Sequence, residues 1–246
     1  MGLQGEITCF PDLAEMKSDY SQSRFPGRAA RRSVARRLIA YYSEHGRCFP
    51  WRNKSARRYR LIVSEILLQQ TRAETVAVFL PRFERRYPSW KSLAVAKVGD
   101  LEETLRPIGL WRRRASAISA LAAELGNRGG RFPRCRDEIE ALPGIGQYVA
   151  NAVELFCFDR PRPLLDAGMA RALERYFGPR TLADIRHDPY LQNLAQAIVE
   201  ESDARTINWA ILDLAAQVCL PGQPKCRKCP IRQGCRFRRD QLADME

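Results

Sequence analysis

From Arg28 onward, apolar residues recur at helical spacing almost without interruption. Residues 32–43 carry Val34, Leu38, Ile39 and Tyr42 on one stripe, and similar stretches follow at 61–70 and 73–86. Ala115, Ile118, Ala122 and Leu125 step by three, four and three, which is one buried face of a helix. Gly129-Gly130 and Pro133 interrupt the pattern, and it resumes over 136–142 and from Gln147 to about Phe156. Further helices are expected at 167–177, 189–201 and 204–218. No alternating run is long enough for a sheet, so the predicted fold class is all-α. Residues 1–27 mix glycine, proline, serine and charge without periodicity and read as a mobile lead-in.

Charge changes the picture next. Among 246 residues, 41 are Lys or Arg and 28 are Asp or Glu, a formal charge of +13. Arginine supplies most of the excess, and its planar fork can grip two phosphate oxygens at once. An anionic partner follows, with nucleic acid the best fit. Composition alone does not separate this from a generally basic chain. No apolar run reaches spanning length, so no membrane role is expected. No signal-peptide pattern opens the chain either, which points to a cytoplasmic protein.

Four cysteines near the end fall as Cys219-x6-Cys226-x2-Cys229-x5-Cys235. Four thiols in so short a span suit an all-sulfur metal site, because thiolate is the soft ligand of iron–sulfur clusters and zinc. A zinc ribbon more usually shows two matched Cys-x2-Cys pairs. Here one short pair is flanked by single cysteines, which favours iron–sulfur over zinc and both over disulfides. Cys9, Cys48, Cys135 and Cys157 have no pair spacing and are expected as reduced thiols.

Two other features bear chemistry. Leu142-Pro143-Gly144-Ile145-Gly146 separates two helical patterns. Pro143 is expected to end the first, and the paired glycines to form a tight turn whose amides face outward at the start of the second. Such amides hold phosphate without reading base sequence, although a plain helical corner has the same look. Eighteen positions beyond Tyr148 comes Asp166, after the apolar run Pro163-Leu164-Leu165. It suits an N-cap, or a carboxylate aimed into a pocket.

Together the hairpin, the downstream aspartate and the cysteine spacing resemble the iron–sulfur branch of the helix-hairpin-helix DNA glycosylases. That branch includes endonuclease III, the adenine-DNA glycosylases and the thymine/uracil mismatch glycosylases. The likeness runs from about Ala35 to Cys235. Phe49-Pro50-Trp51-Arg52 and Ser64-Glu65-Ile66-Leu67-Leu68-Gln69-Gln70-Thr71 resemble two motifs of the adenine enzymes. The resemblance implies two helical domains flanking a DNA-binding cleft. One is a six-helix block at 57–160 carrying the hairpin. The other joins 28–56 to 161–246 and holds a 4Fe–4S cluster on Cys219, Cys226, Cys229 and Cys235. Lys225, Arg227 and Lys228, with Gly144 and Gly146, would hold DNA phosphates. The partner implied is double-stranded DNA with a mispaired or damaged base, bound by a monomer.

The resemblance also distributes the chemistry. Breaking an N-glycosidic bond leaves positive charge on the sugar and negative charge on the base. Asp166 matches the carboxylate that stabilises the first, and Glu65 the acid that protonates the second. Endonuclease III has a lysine where this chain has Tyr148, and tyrosine forms no imine, so a monofunctional enzyme leaving an abasic site is expected. Tyr148 is expected to line the base pocket. Gln70 and Leu110 match residues that enter the stack when the base flips out.

Substrate signals are mixed. Tyr148, Leu110 and a chain ending eleven residues after Cys235 favour thymine or uracil opposite guanine. Glu65 and Gln69-Gln70 favour adenine opposite guanine or 8-oxoguanine. Ala167-Gly168 departs from both, because the family usually has a pair ending in asparagine there. A DNA-structure binder without catalysis is the alternative of another class, and retention of both carboxylates argues against it.

Overall fold

The computed structural model describes residues 25–53 and 55–243. Much of the lead-in expected at 1–27 therefore lies outside the described residues. Among the described residues twelve α-helices follow one another: α1 (Arg28–His45), α2 (Arg58–Leu68), α3 (Ala73–Arg86), α4 (Trp90–Ala94), α5 (Val98–Leu105), α6 (Trp111–Asn127), α7 (Arg136–Glu140), α8 (Gln147–Phe158), α9 (Ala167–Phe177), α10 (Pro189–Val199), α11 (Ala204–Gln217) and α12 (Arg236–Ala243). No strand occurs among the described residues, as the missing alternation predicted.

Two apolar cores organise these helices. The first draws on residues from Trp51 to Leu164 and includes Phe83, Ile118, Leu125 and Phe156, all essentially sealed from water. Here α2 packs on α8, and α4 and α5 on α6. The second joins Val34, Ala35 and Leu38 of α1 to residues from Leu165 to Ile231, with α11 packed against α1 and α9. Each fully buried leucine or isoleucine in these cores stabilises the fold by roughly 2 kcal/mol. Leu164 belongs to one core and its neighbour Leu165 to the other, so Asp166 emerges at the seam.

Local chemistry fixes several helix starts. The carboxylates of Asp166, Asp188 and Asp203 each accept a backbone N–H from the first turn of α9, α10 and α11. Between α7 and α8, Gly144 adopts φ 72°, and a Cβ there would stand 2.9 Å from the Cβ of Ala117. Glycine is therefore required on both conformational and steric grounds. Gly146 is extended at φ −99° with open space around it, so the turn itself does not demand glycine at that position. The helix before the turn ends at Glu140, three residues ahead of Pro143, because Ala141 already caps it.

One expectation is corrected. Cys135 is disulfide-bonded rather than reduced. Sequence spacing informs only on cysteines close along the chain, and nothing near Cys135 signalled a pairing. Cys48 and Cys157 are free thiols, whereas Cys9 lies outside the described residues. Among the described residues, no helix is long and apolar enough to cross a membrane.

Candidate active site and cysteine cavity

A cleft of about 820 Å³ opens along the seam between the cores, roomy enough for a nucleoside-sized group. Glu65 reaches it from α2, Tyr148 from the first turn of α8, and Asp166 from the start of α9. Gln70 lines its edge, while Trp51, Arg52, Arg171 and Trp209 complete much of the wall.

Glu65 is buried, with 3% of its surface exposed, and its Oε2 accepts the Tyr148 hydroxyl at 2.9 Å. Burial pushes the Glu65 carboxyl up to about 7 against the hydrogen bond from Tyr148 and the nearby Arg52 charge, both of which favour the ionised form. Burial and the facing carboxylates hold the Tyr148 phenol well above its usual range, so it remains a hydroxyl donor. Asp166 differs. It faces the water of the cleft, yet protein encloses its other sides and raises its pKa, opposed by the Met169 and Gly168 backbone amides. Its Oδ1 accepts the Met169 N–H at 2.7 Å. The site thus pairs a carboxylic acid able to hold a proton near neutrality with a second carboxylate anchored on a helix N-terminus.

Sequence reasoning missed the support beneath this pair. Asp213, buried in α11, accepts Arg52 Nη1 and Arg47 Nε, each at 2.7 Å, and the backbone N–H of Arg47. One carboxylate therefore fixes both arginines on the cleft wall. The signal was a lone charge within the apolar run 207–215, and the run Phe49-Pro50-Trp51-Arg52 marked only the other partner.

Gln70 at the cleft edge and Leu110, which lies outside the cleft lining, are both exposed and left-handed, with φ 55° and 50°. Beside Leu110, the Trp111 ring lies under the Arg112 guanidinium at 4.0 Å and near that of Arg106 at 5.2 Å. Gly144 and Gly146 are exposed at the hairpin, and Lys225, Arg227 and Lys228 are exposed around a short 3₁₀ turn (Cys226–Lys228).

Cys219, Cys226, Cys229 and Cys235 are free thiols and line one small cavity, walled by apolar residues such as Leu214, Val218 and Ile231. Arg175 Nη1 donates to Cys219 Sγ at 3.5 Å. Among the described residues, no group of three or more His, Cys, Asp or Glu side chains is arranged to hold a metal ion. Four free thiols around one cavity are nevertheless the donor set that an iron–sulfur cluster takes.

Comparison with known proteins places this geometry. Residues 63–188 match the HhH-GPD superfamily base excision DNA repair protein. The thymine-DNA glycosylase of Aeropyrum pernix is 36% identical over 208 residues, 82% of this chain and 93% of that protein. The chain belongs to the HhH-GPD superfamily. An adenine DNA glycosylase from Mus musculus is 30% identical over 81% of this chain but 40% of that protein. Among solved structures, a thermostable thymine-DNA glycosylase superposes with a TM-score of 0.79 at 29% identity, covering 86% of this chain and 98% of that one. Membership makes this chain a base excision DNA repair protein, and DNA its partner.

Proposed function

We propose that the protein is a monofunctional DNA glycosylase that releases thymine or uracil mispaired with guanine and leaves an abasic site. The observation that carries this reading is the meeting of Glu65, Tyr148 and Asp166 in one cleft. Glu65, protonated near neutrality, gives its proton to the departing base. Asp166, fixed on α9, stabilises the positive charge that grows on the sugar as the bond to the base breaks; water then adds at the anomeric carbon and its proton passes to the Glu65 carboxylate, restoring the acid. Tyr148 holds Glu65 in place and offers no amine. No lysine lines the cleft among the described residues, so the reading includes no imine and no strand cleavage. Gln70 and Leu110 fill the vacated stack, and the exposed residues Gly144 and Gly146, through their backbone, with the cations Lys225, Arg227 and Lys228, hold phosphates.

The two apolar cores support dividing the chain into a block at 57–160 and a second domain of 28–56 with 161–246. In the second, Cys219, Cys226, Cys229 and Cys235 would hold a 4Fe–4S cluster. When bound, it would cross-link the loop bearing Lys225, Arg227 and Lys228 and supply one-electron chemistry. The protein acts as a monomer, where its DNA is. Adenine release is the second reading, favoured by the adenine glycosylase relatives.

Single-turnover assays on duplexes with T·G, U·G, A·G and A·8-oxoguanine, developed with and without hot alkali, test both. Thymine or uracil release visible only after alkali is expected. Adenine release would install the second reading, and cleavage without alkali would remove the monofunctional one.

A further inference from the structure

Two loops far apart in sequence, one of them lining the cleft, are joined by one buried side chain. Arg114, on the first turn of α6, is 6% exposed. Its Nη1 donates to the carbonyls of Ile108 and Gly109, at 2.8 and 2.9 Å. Its Nη2 donates to the carbonyl of Gln69 and, at 2.7 Å, to the Thr71 hydroxyl. Thr71 Oγ1 in turn lies 3.4 Å from the Ile108 carbonyl, so a hydroxyl contact reinforces the same bridge.

The acceptors flank particular residues. Gln69 and Thr71 bracket Gln70, while Ile108 and Gly109 run into Leu110. Only three non-glycine residues among those described have positive φ, and Gln70 and Leu110 are two of them. A left-handed side-chain-bearing residue persists only where its surroundings over-determine it. Here the over-determining group is shared. The partners of Arg114 are carbonyls and a hydroxyl, with no carboxylate paired to it among the described residues, and burial lowers its pKa. The charge is therefore balanced by the dipoles of the two loops it ties together, which makes each loop's conformation depend on the other.

We propose that Arg114 is a positioning residue for base extrusion, clamping the Gln70 and Leu110 loops into one rigid wedge without itself touching the base. The proposal rests on the glycosylase reading above. A planar fork with two separate amino groups can span both loops, whereas the point donor of lysine reaches only one.

The test compares base release from two DNAs in single turnover: a duplex with the target base opposite guanine, and one with the same base in a single-nucleotide bulge. An unpaired base is extruded at far lower cost. Arg114→Lys is expected to slow release from the paired target by about tenfold or more while leaving the bulged target within roughly threefold, because extrusion costs a few kcal/mol only where pairing must be broken. Thr71→Val, which removes two of the bridging contacts and leaves the guanidinium, is expected to move the ratio the same way by less. It carries the test if Arg114→Lys does not fold. Fluorescence of 2-aminopurine beside the target should show the matching loss of unstacking. Equal slowing on both DNAs, or no slowing on either, overturns the proposal. A wild-type protein inactive on both would instead overturn the glycosylase reading beneath it.

Discussion

The Tyr148 hydroxyl donates to Oε2 of Glu65 at 2.9 Å, joining α8 to α2 across 83 positions of sequence. This bond stabilises the ionised form of Glu65, against the larger effect of burial. Tyr148→Phe removes that stabilisation without opening the wall. The Glu65 pKa should then rise above about 7, and the falling limb of the rate–pH profile should move to higher pH. Single-turnover rates measured across neutrality check this. An unmoved limb would mean that Glu65 is not the titrating acid.

Glu65 also leaves a mark on stability. Its carboxyl binds its proton more tightly in the folded chain, at about 7, than at its ordinary value of 4.5. The folded state therefore holds more protons between those values, and stability falls as pH rises through that window. Below 4.5 the cost is absent, and above 7 it is fully present. Glu65→Gln, which does not titrate, should gain on wild type above neutrality by roughly 3 kcal/mol, with the gap closing in acid. The same variant should lose about 10²- to 10⁴-fold in base release. Denaturant melts at acid and alkaline pH test the first half, and a constant gap would refute it.

On the proposed mechanism Asp166 caps α9 and also faces the sugar, and one substitution separates the two roles. Asparagine caps a helix about as well as aspartate, so Asp166→Asn should keep the Met169 amide bonded and α9 intact. It removes the charge facing the sugar. Binding to mispaired duplex should be retained or improved, since one fewer anion faces phosphate, while base release falls to background. Gel-shift and single-turnover assays on the same duplex separate the two effects. If wild type and variant behave alike on every mispair, the protein is a binder rather than an enzyme.

Much of this site was legible because it rests on local sequence. Asp166 stood between an apolar run and a helix, Glu65 sat among Ile62, Val63, Ile66 and Leu67, and both reach the cleft. What local sequence could not carry was mutual arrangement. Tyr148 and Glu65 were each legible alone, but their bond depends on how α8 lies on α2. Asp213 looked like one charge in a core helix until Arg47 and Arg52 arrived from the other end of the chain. The short helices α4 and α5 escaped because they span one or two turns, although the Ser89 capping box announced α4. Helix α12 buries no residue and so wrote no apolar stripe.

Gly168 makes the tightest prediction at the carboxylate. A Cβ there would lie 3.2 Å from Asp166 Oδ1 and 3.2 Å from the Cβ of Ala215. Neither neighbour yields easily: Ala215 is buried on α11, and Oδ1 is already held by the Met169 amide at 2.7 Å. Gly168→Ala lies within α9, where alanine is the better helix former by about 1 kcal/mol. Crowding and propensity therefore oppose one another in stability, and the melting temperature should change little. The chemistry has no such compensation, because the carboxylate is the group that must shift. Base release should drop about tenfold or more, the usual scale for a misplaced catalytic group, with DNA affinity close to wild type. A rate equal to wild type would mean that Asp166 tolerates displacement, and so does not act through a fixed position beside the sugar.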